Sequence, residues 1–155
     1  MTITLEAIEA EHSRISELIA AFKAQPRPTE YHIDAVTIPL AAGERVAGPI
    51  LNADGTLSHY LIKMSGEAES KGNWSTAQAY ANARGGEAPT LRELALMRTN
   101  LPDEFEGEAY WSAEEYAGDS SYAWSQGFDG GLQGHGLKSA ALRAVAVRRF
   151  IPSVI

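Results

Sequence analysis

The sequence predicts an α+β domain preceded by a separate amphipathic helix, and three observations carry that expectation. Apolar residues recur at helical spacing over residues 2–24. Two helix-start signatures, Ser75-Thr-Ala-Gln78 and Thr90-Leu-Arg-Glu93, follow a hairpin pattern in the middle of the chain. From Tyr110 onward the period changes to two, in aromatic-rich segments separated by Gly-rich turns.

The first helix, residues 2–24, places Leu5, Ile8, Ile15, Leu18, Ile19 and Phe22 at spacings of three, four and seven. Its polar face carries Glu6, Glu9, Glu17 and Lys23, and Gln25-Pro-Arg-Pro28 ends it because proline cannot continue a helix. Ile8, Ile15 and Phe22 lie seven apart, so the stripe suits either a short coiled-coil seam or packing on its own domain. Thr29–Leu40 reads as an extended connector, with a strand suggested by Ile33, Ala35, Val36 and Ile38. A hairpin follows: Glu44–Leu51 and Thr56–Met64 flank Asn52-Ala-Asp-Gly55, whose Asp-Gly is a turn signal.

Two short helices come next. Ser75 is placed to cap the first through the amide of Gln78; Trp74, Ala77, Tyr80 and Ala81 form its apolar side, and Gly85-Gly86 stops it. Thr90 and Glu93 form a second capping box, with Leu91, Leu94, Ala95 and Met97 as the apolar face and Asn100-Leu-Pro102 as the stop. Beyond Tyr110, one strand face carries Tyr122, Trp124, Gln126 and Phe128, the other Ala123, Ser125, Gly127 and Asp129. Large aromatics contribute most burial in a small sheet, so the aromatic face is expected inside, with Trp124 and Phe128 as its floor. The last segment, Leu142–Arg149, is apolar on both faces at its middle and reads as a central strand.

A chain of 155 residues with 45% apolar and 21% charged residues is an ordinary globular protein. That size lets it bury roughly two-thirds of its unfolded surface without metal or disulfide. The net charge of -7 argues against nucleic acid, whose phosphates need a basic footprint. A local basic group, Lys138, Arg143, Arg148 and Arg149, reads as the solvated face of the last strand. With no cysteine there is no disulfide framework, thiolate metal site or Cys nucleophile. No basic start followed by an apolar run marks a signal, and no apolar stretch approaches a membrane span. The expectation is cytoplasmic synthesis without membrane insertion, with association to a virion left open.

Catalytic and metal motifs are weak. His12, His32, His59 and His135 show no metal-ligand spacing, and His59 is expected on a solvent-facing strand position. Only His135, between Gly134 and Gly136, is placed to project toward a ligand. No Ser-His-Asp arrangement can be argued; Ser112 reads as a turn or cap residue. The glycines of 127–136 lack the lysine and following helix of a phosphate cradle. Glu104, Glu106 and Glu108 read as a solvated acidic loop.

The ordered set Trp74, Gly85-Gly-Glu-Ala-Pro-Thr-Leu-Arg-Glu-Leu94, Tyr110-Trp-Ser112, Ala123-Trp124, Phe128, Gly130 and the Arg143–Arg149 strand resembles the DUF1566 group, a branch of the C-type-lectin-like fold common in phage and prophage genomes. The resemblance spans roughly residues 36–150. It implies two helices packed on a small, twisted, mostly antiparallel sheet with long loops on one side. The calcium-dependent lectins of this fold use Glu-Pro-Asn or Gln-Pro-Asp with Trp-Asn-Asp. Here the nearest strings are Glu87-Ala-Pro89 and Leu101-Pro-Asp103, and the acids are too scattered to gather six oxygens. Ala88-Pro-Thr-Leu-Arg-Glu93 also resembles a helix start of the formylglycine-generating enzymes, whose cysteine pair is missing. The remaining use is metal-free recognition, as in phage receptor-binding proteins, some of them targets of diversity-generating retroelements.

The resulting expectation is a non-enzymatic binding module without cofactor, divided into a helix of residues 1–28 and a domain of residues 29–155. It recognises a protein or glycan surface through Ser125, Gly127, Asp129, Leu132, Gln133, His135 and Leu137, on the non-aromatic face of 123–129 and the loop to 137. The helix makes it a homo-oligomer. The alternative is a structural or assembly component of a virion, packing on a neighbouring protein through the same surface.

Overall fold

Local capping chemistry sets the helices. In the computed structural model, which describes residues 2–25, 30 and 32–152, helix α1 runs Leu5–Ala24. Thr4 accepts the Ala7 N–H through its hydroxyl at 3.2 Å. The expected boundary between residues 28 and 29, with its prolines, lies outside the described residues. The chain divides into two compact units, residues 1–35 and 36–155. Within the first unit α1 buries none of its residues: Leu5, Ile8, Ile15, Leu18, Ile19 and Phe22 are all exposed.

The second unit is α+β. Strands β1 (Arg45–Leu51) and β2 (Leu57–Lys63) form the expected hairpin, closed by Asn52 N–H to the Thr56 carbonyl at 2.8 Å. The strand expected around Ile33–Ile38 does not form, because no partner strand takes up its backbone groups. Helix α2 is Trp74–Ala83 and α3 is Leu91–Asn100, followed by a single 3₁₀ turn at Pro102–Glu104. The α3 capping box forms as expected, with Thr90 and Glu93 bonding each other's backbone N–H. The α2 cap is corrected: Asn73, not Ser75, is the cap. Its carboxamide oxygen takes both the N–H and the hydroxyl of Thr76 at 2.8 Å, so the helix starts one residue before Ser75.

Two antiparallel three-stranded sheets complete the unit. One has the order β1-β2-β6, where β6 is Val147–Phe150; the other joins β3 (Ala109–Glu115), β4 (Tyr122–Gly127) and β5 (Gln133–Leu137) in that order. The long central strand expected over 142–149 is also corrected. Only Val147–Phe150 enters a ladder, at the edge beyond β2. The residues before it bond in both directions: Leu142 to Gly72, Arg143 to Ala109 and Trp111, Ala144 to Ala68, and Ala146 to Met64. This segment therefore stitches the two sheets together, which explains why Ala144, Val145 and Ala146 are buried. Gly86 makes the stitch possible at Val147. A Cβ there would stand 2.6 Å from the Val147 carbonyl oxygen, whose bond to Glu87 N–H is part of it.

Two apolar clusters do most of the packing. Leu61, Leu94, Met97, Tyr110, Val145 and Val147 fill the space between the first sheet and α3. Trp111 fills the other with Ala77, Ala123 and Ala144, and its indole N–H donates to the Gly72 carbonyl at 3.0 Å. Complete burial of such side chains contributes roughly 1.5–3 kcal/mol each.

Candidate functional site

The β4–β5 hairpin decides where a site can lie. Cross-strand partners share a face, and successive residues alternate between faces. Trp124 opposes His135, Tyr122 opposes Leu137 and Gln126 opposes Gln133, all on one face. Ala123 opposes Gly136 and Ser125 opposes Gly134 on the other. The buried face at this end is the second one. Ala123 has no exposed surface and touches the cluster containing Trp111, Ala77 and Ala144. The expected inward aromatic face is thus reversed for Tyr122 and Trp124. The indole of Trp111, delivered by the neighbouring strand, fills the interior and leaves room only for a small residue at position 123. Phe128 is half-buried, and it stacks on Phe105 at 4.2 Å, as expected of a core residue.

The aromatic face is closed at one end and open at the other. Gln126 is 2% exposed, and Gln133 Nε2 donates to its Oε1 at 2.9 Å and to the Leu91 carbonyl at 3.2 Å, against the start of α3. At the open end Tyr116, Tyr122, Trp124 and His135 form one aromatic cluster. Tyr116 reaches it through an irregularity in β3. Trp111 opposes Ser125 while Glu115 opposes Ala123, so β3 advances four residues where β4 advances two. Such a bulge re-aims the residues beyond it. The ring of Tyr116 lies flat on His135, with centroids 3.9 Å apart and planes at 11°. Trp124 and Tyr122 stand edge-on to His135 at 5.2 and 5.7 Å, with interplanar angles of 86° and 78°.

The polar edges of these rings are unspent. Trp74 and Trp111 donate their indole N–H groups to the carbonyls of Ser112 and Gly72. Trp124 makes no such bond among the described residues, nor do the hydroxyls of Tyr116 and Tyr122 or the ring nitrogens of His135. Leu137, opposite Tyr122 and 49% exposed, extends the patch with apolar surface, while Leu132, 78% exposed, lies in the turn beyond the closed end.

The seven residues expected as one contact set are therefore divided. His135 and Leu137 lie on the aromatic face, and Gln133 lies on it but is held by Gln126. Ser125 points to the opposite face and donates to the Gly134 carbonyl at 3.3 Å. Gly127 closes the turn through its N–H to Leu132 O at 2.8 Å, and Asp129 and Leu132 sit in that turn. The stretch 133–137 is strand, not loop, because its backbone pairs with β4 throughout. Tyr116, Tyr122 and Trp124 were not expected at the surface; the alternation of Gly134 and Gly136 with Gln133, His135 and Leu137, which leaves the other face of β5 without side chains, was the available signal.

The basic group is also corrected: it is paired rather than solvated. Lys138 meets Glu115 at 3.3 Å, Arg143 meets Glu108 at 2.6 Å, and Arg148 meets Glu44 at 2.7 Å. Arg149 contacts both Glu87 and Glu93. Correspondingly, the acidic stretch 104–108 is not free, since Glu104 pairs with Arg45 and Glu108 with both Arg143 and Lys71. These pairings hold the Glu108 carboxyl below its ordinary range, first through Lys71 and then through Arg143.

His59 does not face solvent. It is 9% exposed, with Nε2 2.9 Å from Glu93 Oε1 and Nδ1 2.9 Å from the Ser58 hydroxyl. A serine–histidine–carboxylate set is thus brought together across 34 residues, although none could be argued from spacing. Its carboxylate is already committed: Arg149 bonds both Glu93 oxygens and the Thr90 N–H donates to one of them. The set reads as an internal strut between β2, β6 and α3.

A cleft of about 450 Å³ lies along α2, lined by Glu67, Ser70, Thr76, Ala77, Tyr80 and Arg84 among others. Arg84 bonds the Ser65 carbonyl at 2.6 Å, and the Tyr80 hydroxyl is buried without a partner among the described residues. Among the described residues no group of three or more His, Asp or Glu is placed to hold a metal ion. No described helix is long and apolar enough to cross a membrane. No protein-family model matches the chain, and no curated protein matches it in sequence.

Proposed function

We propose that this chain is a metal-free recognition module of C-type-lectin-like fold, of the kind phage and prophage proteins use to bind a protein or glycan surface. The observation that carries the reading is the cluster of Tyr116, Tyr122, Trp124 and His135, whose rings lie together while their hydrogen-bonding edges stay unspent. Aromatic side chains with a free polar edge supply rigid contact area and directional bonds together, which is why they dominate binding hot spots. The pairing of all four residues of the basic group removes the electrostatic footprint a nucleic acid would need. The α+β architecture, with two helices on small antiparallel sheets, agrees with the fold. The recognition residues in this reading are Tyr116, Tyr122, Trp124, His135 and Leu137.

The experiment compares the full chain with a Tyr116→Ala/Trp124→Ala variant on arrays of bacterial surface glycans and on immobilised bacterial cells. The expected result is binding by the parent protein, its loss in the variant, and little change in melting temperature. Binding that survives in the variant assigns recognition to another surface. One observation favours a second reading, packing on a neighbouring virion protein: Leu137 adds exposed apolar surface to the patch. In either reading the exposed stripe of α1 serves self-association.

A further inference from the structure

We propose that Tyr116, Tyr122 and Trp124 are three walls of a box for an organic cation, a quaternary ammonium group, and that His135 is its built-in plug. The proposal rests on the reading of the aromatic face as the recognition surface and names what that surface takes. The imidazole lies parallel to Tyr116 at 3.9 Å and meets Tyr122 and Trp124 nearly perpendicularly at 5.7 and 5.2 Å. Tyr116 itself stands at 70° to Tyr122 and 76° to Trp124. Two walls rise at steep angles from a common floor, and a small ring sits between them. The volume the imidazole fills thus lies 3.9–5.7 Å from three ring centroids, inside the distance of about 6 Å at which an aromatic ring attracts a cation over its face.

The surrounding charge has the matching sign. Asp119 lies in the turn that joins Tyr116 to Tyr122, while Glu115, opposite Ala123, lies on the other face and Glu114 accepts the Leu91 N–H at 2.6 Å. The neighbouring cation, Lys138, is turned to Glu115 at 3.3 Å and over the ring of Trp74 at 4.6 Å. The charge of Asp119 repels an anionic ligand and attracts a cation.

The plug is held only by stacking. The imidazole of His135 makes no hydrogen bond among the described residues, and the residue sits on β5, the edge strand of its sheet. The His135 side chain is itself exposed, and its neighbours Gly134 and Gly136 place no side chain beside it. Rotation of one exposed side chain empties the box without disturbing the ladder. A trimethylammonium group is compact enough to replace an imidazole ring, and its fixed charge gains more from the three faces than a neutral ring does.

The test is a titration of the ¹⁵N-labelled full chain with choline chloride, followed at the indole N–H of Trp124. The comparison ligand is 3,3-dimethyl-1-butanol, which has the shape of choline without its charge. Choline is expected to shift the Trp124 signal and the neutral analogue to leave it in place. His135→Ala should tighten choline binding by about tenfold by removing the competitor, and Trp124→Ala should abolish it. Equal responses to choline and its neutral analogue, or no response to choline in both the parent and His135→Ala, overturn the proposal. Sedimentation with phosphatidylcholine vesicles separates a lipid headgroup from soluble or glycan-borne choline as the source. If the aromatic face binds surfaces on the arrays but choline shifts nothing, the box fails while the recognition reading stands.

Discussion

Arg149 holds both carboxylate oxygens of Glu93, Nε to Oε1 at 2.6 Å and Nη2 to Oε2 at 3.0 Å, at the junction of β6 and α3. Glu93 is 1% exposed and simultaneously closes the α3 capping box and meets His59, so one buried carboxylate ties three elements. Burial pulls the Arg149 guanidinium below its ordinary value, yet an arginine bonded to carboxylates on two sides keeps its charge. Removing one member of such a pair strands the other without compensation. Arg149→Ala and Glu93→Ala are each expected to lower unfolding free energy by about 3 kcal/mol. The double variant should cost little more than either single one. Urea unfolding of all four proteins checks this, and additive single effects would show that the two residues act independently.

Lys63 is the opposite case, a buried charge without a carboxylate partner. It is 3% exposed, its amine faces the carbonyls of Met64 and Gly66 at 3.4 and 3.3 Å, and Phe105 lies 5.5 Å away. Desolvation lowers its pKa, with Glu67 and Glu104 opposing the shift from a distance. The folded state therefore binds the proton less tightly than the unfolded one, so this group's penalty is greatest below its folded value. That penalty fades as pH rises toward the unfolded lysine value of about 10.4. Lys63→Met is expected to stabilise the protein at neutral pH by roughly 1 kcal/mol. Thermal unfolding from pH 7 to 10.5 should show the advantage shrinking as pH rises. A variant less stable than the parent at pH 7 would mean that the two carbonyl bonds outweigh desolvation.

Acid should act through Glu44. Its carboxyl takes the Arg148 guanidinium at 2.7 and 2.8 Å and the Ala41 N–H at 2.8 Å, and these bonds, Arg148 first, hold its pKa below the ordinary value. A depressed folded value contributes stability above the unfolded carboxylate pKa of about 4.3 and loses it as pH falls through the folded value. Glu44→Gln should cost about 1–2 kcal/mol at pH 7 and almost nothing below the carboxylate range. Guanidinium unfolding at pH 7 and pH 2.5 reads the difference. An equal cost at both would assign the effect to packing.

Local chemistry made the helices and the first hairpin legible. Thr90 and Glu93 bond each other within one turn, and Asp54-Gly55 closes its strands over a few residues, so no distant partner has a vote. At α2 two caps compete two residues apart, and Asn73 wins because its oxygen satisfies both donors of Thr76. What could not be read was set by contacts between distant residues. Alternation shows that Tyr122 and Trp124 share a face but not that Trp111, thirteen residues before Trp124, occupies the interior opposite Ala123. The same holds for His59, made a core residue by a carboxylate 34 positions away, and for Arg148, drawn from solvent by Glu44 across 104 positions. The proposed recognition surface was half legible: His135 and Leu137 were expected on it, while Tyr122 and Trp124 were expected in the core and Tyr116 was not singled out.

Helix α1 carries the last expectation. Its twenty residues expose Leu5, Ile8, Ile15, Leu18, Ile19 and Phe22 by 49–74% each, on a stripe at helical spacing. A helix of this length is marginal in water by propensity alone and gains stability when such a stripe is buried. Ile8, Ile15 and Phe22 fall seven apart, which suits a seam against the same helix of a second chain. The full chain is expected to be a dimer or larger by size-exclusion with light scattering, dissociating on dilution. Ile15→Asp, in the middle of the seam, should give a monomer whose circular dichroism loses helical signal while the second unit keeps its melting transition. A parent protein that is already monomeric at high concentration would remove self-association from the role of α1.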